Sequence, residues 1–205
     1  EQVLPQGNTN INQNGVAAID ATPTPPVLSA RIPGATVPVN WRLKITFERE
    51  VYDGPSSHHT QLEQYFYPPN PEEWVASTAE QPWEITPPFF GGDAVVEASW
   101  CGSIYQFNFK IHGTNPPSTD ISTSLADDTG FGENFYRALC WQESQYRQFD
   151  ANINGGIGPP LPCYANDGGY GLMQLTNPVP SIDKLWNWTA NATTGKAVLQ
   201  EKVRN

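Results

Sequence analysis

Apolar and polar residues alternate strictly from Val37 onward. Val37, Val39, Trp41, Leu43, Ile45 and Phe47 stand against Pro38, Asn40, Arg42, Lys44, Thr46 and Glu48. Period two over a dozen residues predicts a half-buried β-strand, because successive side chains leave opposite faces of an extended backbone. Tyr105, Phe107, Phe109 and Ile111 alternate in the same way with Gln106, Asn108, Lys110 and His112. Residues 94–100 read as the preceding strand, opened by Gly91, Gly92 and Asp93 and joined onward through Cys101, Gly102 and Ser103. Residues 61–67 predict a further strand. Residues 68–90 are broken by Pro68, Pro69, Pro71, Pro82, Pro87 and Pro88, and predict long loops or edge strands, since proline cannot donate to a sheet ladder.

These strands sum to an antiparallel β domain over residues 37–113, most simply an immunoglobulin-like sandwich. Trp41, Leu43, Ile45, Phe107 and Phe109 are expected to face one core. Residues 1–36 contain none of the chain's aromatics and only three charges, Glu1, Asp20 and Arg31. Asn8, Asn10, Asn12 and Asn14 alternate with Thr9, Ile11 and Gln13, and Pro23, Pro25 and Pro26 follow. Little apolar surface is on offer to offset the ordering entropy, so an extended arm or linker is expected, either a spacer or a segment that orders against a partner. After Gly113, Thr114, Asn115, Pro116 and Pro117 the pattern turns helical. Asp127, Asp128 and Thr129 offer N-caps, and a helix is expected from about Glu133 to Phe149. The third region is 114–205.

Composition narrows the classes. The chain has 205 residues, enough for one or two domains with a core that needs neither disulfide nor metal. Its 20 prolines and 17 glycines are 37 of 205 residues, about 18%, below the roughly 25–30% that reads as disordered. No apolar run approaches the ~18 residues of a membrane span. A net charge of −10 argues against a nucleic-acid binder, which would show a basic face. Glu1 is neither an initiator Met nor the start of a signal peptide, so the numbered chain is expected to be a mature or trimmed product. Few lysines and many Asn, Thr, Trp, Tyr and Pro fit an exported protein.

Charge is unevenly spread. Residues 48–97 hold ten acids and one base, Arg49, which is −9 of the chain's −10. The plain reading is a solvated acidic face; the functional alternative is a calcium site or a basic partner. No DxDxDG spacing supports calcium. His58 and His59 are adjacent, so on a strand they point to opposite faces. No metal and no cofactor is assigned. Cys101, Cys140 and Cys163 show no zinc spacing, and three cysteines allow at most one internal bridge. They read either as small buried residues or as one bridge; Cys140 and Cys163 are then the expected pair, tying the loop after the helix to the helix itself.

The chemistry gathers in the C-terminal region. On a helical wheel Phe135, Ala138, Leu139, Gln142, Tyr146 and Phe149 form one stripe, and Glu143 lies about 80° from its centre. A carboxylate on that rim can be partly desolvated, which raises its pKa toward general-acid duty. A surface glutamate is the plain reading. A glycine- and proline-rich stretch follows (Gly155, Gly156, Gly158, Pro159, Pro160, Pro162), and then residues 167–176, with Asp167, Gly168, Gly169, Tyr170, Gly171, Leu172, Met173 and Gln174. Such glycines let backbone approach a ligand closely.

Glu143 and Ser144 at a helix end, then a loop, then Gly171, Leu172, Met173 and Gln174, resemble the lytic transglycosylase and goose-type lysozyme superfamily. Asn191, Gly195 and Leu199 match a later helix motif of that family, with Ala192 where a larger aliphatic residue is usual and Val198 where an aromatic is common. The resemblance covers about residues 115–205. It implies an α-helical lysozyme-like domain after the β-sandwich, hence an α+β multidomain chain. The domain is expected to be truncated, because Asn205 falls near where the family's second half begins. It implies a peptidoglycan-cleaving glycosidase acting on the β-1,4 bond between N-acetylmuramic acid and N-acetylglucosamine. Glu143 would be its catalytic acid, with Ser144, Tyr170, Gly171, Met173 and Gln174 contacting the glycan strand.

Two chemistries stay open. A lytic transglycosylase uses the one glutamate twice and releases a 1,6-anhydro product; a hydrolase needs a second carboxylate to position water. Asp167 resembles the acid that precedes the GLMQ segment in goose-type lysozymes, at shorter spacing; a turn-forming Asp before two glycines is its plain reading. The transglycosylase is preferred. The competing class is non-catalytic: a structural or wall-docking component of a surface or virion assembly, or part of a larger polypeptide. Either reading implies an extracellular, periplasmic, cell-surface or virion-associated location, and neither calls for a membrane span. The region 114–205 is itself acidic, with nine acids against six bases, which weakens steering toward an anionic wall.

Overall fold

In the computed structural model, which describes residues 15–54, 57–78, 81–126, 134–150, 161–165, 167–177 and 179–204, strands come first in the chain and helices last. The order is β1 (Val16–Ile19), β2 (Leu28–Ala30), β3 (Val39–Gly54), β4 (Ser57–Tyr67), β5 (Val75–Ser77), β6 (Trp83–Ile85), β7 (Gly92–Trp100) and β8 (Ser103–Gly113). Then follow α1 (Ser118–Ser124), α2 (Phe135–Ser144), β9 (Phe149–Asp150), β10 (Leu161–Pro162), α3 (Ile182–Trp186) and α4 (Trp188–Arg204).

Both alternating runs lie in one six-stranded sheet of order β1-β8-β7-β3-β4, with β5 pairing the start of β3. Trp41 stands opposite Ala98, Leu43 opposite Val96 and Ile45 opposite Ala94, and β8 extends these rows with Tyr105, Phe107 and Phe109. Trp41, Leu43, Ile45, Val96, Phe107 and Phe109 are all buried, while Arg42, Lys44, Glu97 and Gln106 fall on the other face, as the pleat requires. β1 makes the sheet mixed: Lys110 N–H donates to Gly15 O and Thr114 N–H to Ile19 O, so both strands advance in the same direction. β2 and β6 pair as a separate antiparallel ribbon. Trp83 of β6 stacks on Trp41, with ring centroids 5.8 Å apart and planes 17° apart. Each large apolar side chain buried here contributes about 1.5–3 kcal/mol.

Two local signals act as their chemistry dictates. Cys101 and Gly102 alone connect β7 to β8, at φ 48° and 76°; two left-handed residues are what a type I′ hairpin turn requires. Gly92 sits at φ 120°, and a Cβ there would stand 2.1 Å from the Thr46 carbonyl oxygen.

The architecture differs from the expected immunoglobulin-like sandwich with a truncated α-helical lysozyme-like domain. Strand makes up 39% and helix 24%, with one large mixed sheet. The second layer is a two-stranded ribbon, and the helices have 7, 10, 5 and 17 residues. Alternation reports which residues face a core but not what covers them, and here small elements do the covering. The bare arm is also corrected where it is described. Ala17, Ile19, Leu28, Ala30 and Ile32 are buried, and β1 and β2 carry four of them into sheets without aromatic anchors. Residues 1–14 lie outside the described residues, as do the cap candidates Asp127, Asp128 and Thr129.

The chain divides into two compact units that interleave in sequence. One holds residues 25–49 and 62–112 with the segment up to Ala18; the other holds 19–24, 50–61 and 113–205. The second unit therefore includes the tip of the β3–β4 hairpin. Its core gathers Ile121 and Leu125 of α1, Tyr136 and Cys140 of α2, Leu172, Met173 and Leu175, and Trp188 and Ala192 of α4. Trp188 Nε1 donates to Ala21 O at 2.7 Å within the same unit.

The helix bearing Glu143 is shorter than expected and turned. Gln145 and Tyr146, at φ 54° and 64°, are consecutive left-handed residues, and α2 stops before them. Its buried positions are Tyr136, Cys140 and Ser144, spaced by four. The expected stripe is not that face: Phe135 is 41% exposed, and Phe149 belongs to β9. Small and amphipathic residues carry the packing, and a count of apolar residues passes over them. The expected bridge is absent as well, since all three cysteines are free thiols. Burial pushes the Cys140 thiol up to about 11 and the Cys163 thiol up to about 12, which marks both as inert core residues.

Candidate active-site groove

Glu143 occupies the last turn of α2, exposed at its surface. One turn earlier Leu139 faces the same groove, a cavity of about 330 Å³. Asp167 and residues 173–177 line it too, in a segment whose backbone is tightly closed. Tyr170 and Leu175 exchange both backbone hydrogen bonds, at 3.1 and 3.0 Å, and Gly171 N–H donates to Cys163 O at 2.9 Å.

Two fully buried amide side chains fix this loop. Gln148 Oε1 accepts the Leu172 N–H at 3.0 Å, and its Nε2 donates to Leu185 O at 2.7 Å. Asn191 Oδ1 accepts the Met173 N–H at 2.9 Å, and its Nδ2 donates to Tyr170 O at 3.0 Å and Lys184 O at 3.2 Å. Gly171, at φ 72°, lies against both amides; a Cβ there would stand 2.5 Å from Asn191 Nδ2 and 2.6 Å from Gln148. Gly195 serves α4 similarly, since a Cβ on it would come within 2.4 Å of Met173 Cβ. Asn115 in turn holds Gln148. Its Oδ1 accepts the N–H groups of Gln148 and Phe149, both at 2.9 Å, and its Nδ2 donates to Phe149 O at 2.8 Å.

The hairpin tip braces the loop through polar and aromatic contacts. Tyr170 Oη donates to Glu50 O at 2.8 Å, and Tyr164 Oη lies 3.1 Å from His58 Nδ1. His58 meets the Tyr52 ring edge-on at 5.3 Å.

Of the residues singled out in the sequence, Glu143, Asp167, Met173 and Gln174 border one groove. Gln174 is left-handed at φ 45°, and its Nε2 donates to Gly171 O at 2.8 Å. Its Oε1 is buried without a hydrogen-bond partner among the described residues, an acceptor left for a polar ligand. Asp167 Oδ1 accepts the Gly169 N–H at 3.2 Å, the self-bonded Asx turn that its position before two glycines suggests. Ser144, Tyr170 and Gly171 do not line the groove. The helix turns Ser144 into the core, where its Oγ donates to Cys140 O at 3.1 Å. Tyr170 is 3% exposed, so its ring offers no face to a sugar. Gly171 supports the loop from beneath.

Sequence reasoning passed over Gln148 and Asn115, because Gln148 read as a turn of helix that does not form. It also passed over Lys184 and Lys202, which bring two ammonium groups to the groove. Their only signal was that a region poor in bases spends two on one face. Among the described residues no group of three His, Cys, Asp or Glu side chains could hold a metal ion, and no helix is long and apolar enough to cross a membrane. In comparisons with known proteins, the chain matches no family model, no curated protein and no solved structure.

Proposed function

We propose that the groove cleaves the glycan strand of peptidoglycan between N-acetylmuramic acid and N-acetylglucosamine, with Glu143 as general acid. The observation that carries this reading is a carboxylate and a pinned backbone loop sharing one groove: Glu143 lines the same cavity as Met173 and Gln174, whose loop is held by Gln148 and Asn191. A general acid for glycoside cleavage must meet the leaving oxygen while other groups keep the sugar still. Met173 supplies an apolar contact and Gln174 Oε1 an acceptor. Lys184 and Lys202 suit the carboxylates of the stem peptides that a muramyl strand carries.

In the proposed step Glu143 gives its proton to the glycosidic oxygen as the C1–O bond breaks. Its carboxylate then takes the proton of the muramyl C6 hydroxyl, which closes on C1 and leaves a 1,6-anhydro ring. We favour this route over hydrolysis because Asp167 already accepts the Gly169 N–H, while Glu143 has no hydrogen bond or ion pair among the described residues. Glu143 is open to solvent in the free protein, so the bound strand itself must exclude water. Such chemistry belongs where peptidoglycan is met, in the periplasm, at a cell surface or on a virion. Burial of Tyr170, which removes an aromatic platform from the groove, favours a second reading: wall docking without cleavage.

The test is muropeptide release from purified sacculi by the wild-type chain and by Glu143→Gln. General acid–base catalysis typically contributes about 10²–10⁴-fold, and the variant is expected to lose release on that scale while still binding. Undiminished release by Glu143→Gln overturns the assignment. Sacculus binding with no release by wild type supports docking instead.

A further inference from the structure

The outward face of the six-stranded sheet carries a second cavity, of about 410 Å³, wholly within the N-terminal unit. That volume lies in the roughly 300–1,000 Å³ range of small-molecule sites. Its floor is a single row across three strands: Arg42 on β3 stands opposite Glu97 on β7, and Glu97 opposite Gln106 on β8. Glu97 is held from both sides, by Arg42 Nε and by Gln106 Nε2, the latter at 2.5 Å. Arg42 Nη1 donates to Pro71 O at 2.9 Å, and its guanidinium lies 4.4 Å from the centre of the Trp74 ring. Three planar polar groups are thereby locked in a row, with Gln106 Oε1 and the second guanidinium nitrogen still uncommitted among the described residues. One wall is apolar, formed by the Phe66 ring and Pro68, with Lys44 Nζ 5.7 Å from the centre of the Phe66 ring; the Tyr67 side chain leaves the other face of β4, its ring 6.4 Å from that of Trp83.

We propose that this cavity binds a neutral pyranose glycan. The charge pattern eliminates the other classes. An anion would meet Glu72 and Glu97, and a cation would meet Arg42 and Lys44. An apolar ligand would leave the polar row unpaired, a desolvation cost with no return. A pyranose ring has one C–H face for the Phe66 ring and a rim of hydroxyls that both donate and accept. Fixed planar groups such as guanidinium, carboxylate and carboxamide meet neighbouring hydroxyls in pairs.

The experiment titrates the ¹⁵N-labelled full chain, carrying Glu143→Gln so that no probe is consumed, with chitotetraose and with cellotetraose. The expected result is saturable shifts of the Gln106 side-chain amide and the Trp74 indole N–H with at least one probe. Phe66→Ala and Gln106→Ala should each weaken that binding about tenfold, the scale of one lost stacking or polar contact. Gln106 is exposed, so its replacement tests the site even if Phe66→Ala disturbs the fold. Shifts confined to the Glu143–Gln174 groove, no shift with either glycan, or full affinity in Gln106→Ala overturns the proposal.

Discussion

The Asn191 side chain of α4 accepts the backbone N–H of Met173 at 2.9 Å while donating to Tyr170 O and Lys184 O. One fully buried amide thus joins the groove loop to two helices. Asn191→Ala leaves the Met173 N–H and the Tyr170 carbonyl without that partner in a dry interior. Tyr170 O keeps the Leu175 N–H, so the expected cost is about 1–3 kcal/mol for the one group left unpaired, the Met173 N–H, read as a lower urea midpoint with unchanged m-value. Asn191→Asp should cost more than Asn191→Ala, because it also buries a charge and removes the donor. A midpoint unchanged in Asn191→Ala would show that the loop is held by other means.

Gly195 presents two opposed effects, and their sizes decide the sign. Alanine in a helix interior is favoured over glycine by about 1 kcal/mol. Against that, the new Cβ would stand 2.4 Å from Met173 Cβ, and overpacking a tight core costs typically about 1–3 kcal/mol. Gly195→Ala is therefore expected to destabilise. The contact is with the Met173 Cβ itself, so Met173→Ala should not relieve it, whereas Met173→Gly should recover part of the loss. A Gly195→Ala variant more stable than wild type in thermal unfolding would contradict this packing.

The strands were legible because their alternation is long and unbroken: Trp41, Leu43 and Ile45 face the core that their spacing demands. What covers them was not, since the three residues of β6 sit among prolines and carry no period of their own. The groove was half legible. Glu143, Met173 and Gln174 were singled out from a motif, and all three border the groove. Ser144, Tyr170 and Gly171 were singled out with them but turn inward, Ser144 bonding within its own helix and Tyr170 and Gly171 holding the loop, and a linear pattern does not separate the two roles. Gln148 and Asn115 left no trace, because a buried amide that bonds backbone has neither a period nor a charge. The left-handed pair Gln145 and Tyr146 ended the helix where nothing in the composition marks a stop.

The three cysteines give a direct check on packing. Cys101 is exposed, while Cys140 and Cys163 are buried free thiols. A thiol reagent at pH 8 should label one site per native chain rapidly and three after unfolding without reductant. A single labelled site after unfolding would reveal the bridge that the structure lacks.

Burial of those two thiols also predicts an alkaline dependence. Cys140 is raised from 9.0 to about 11 and Cys163 from 9.0 to about 12. The unfolded chain therefore loses these protons first as pH rises, and stability falls with pH. The contribution is fully present below about pH 9, declines above it, and is lost as pH passes through about 11 to 12. Urea midpoints from pH 8 to 11 should show a decline that is shallower in Cys163→Ala. An identical slope in that variant would assign the decline to other groups.

Asp167 decides between the two routes of glycan cleavage. It lines the groove with Glu143 but gives one carboxylate oxygen to the Gly169 N–H. If it positions a water, Asp167→Asn removes the base and should lower release of hydrolysed muropeptides by about 10²-fold or more. If Glu143 works alone, asparagine keeps the carbonyl oxygen that caps Gly169, and release of anhydro products should stay within about threefold, under 1 kcal/mol of barrier. The second outcome is expected. Mass separation of the products reads it directly, because a hydrolysed end is one water heavier than an anhydro end. Hydrolysed products from wild type that vanish in Asp167→Asn would make Asp167 the water-positioning base and the groove a hydrolase.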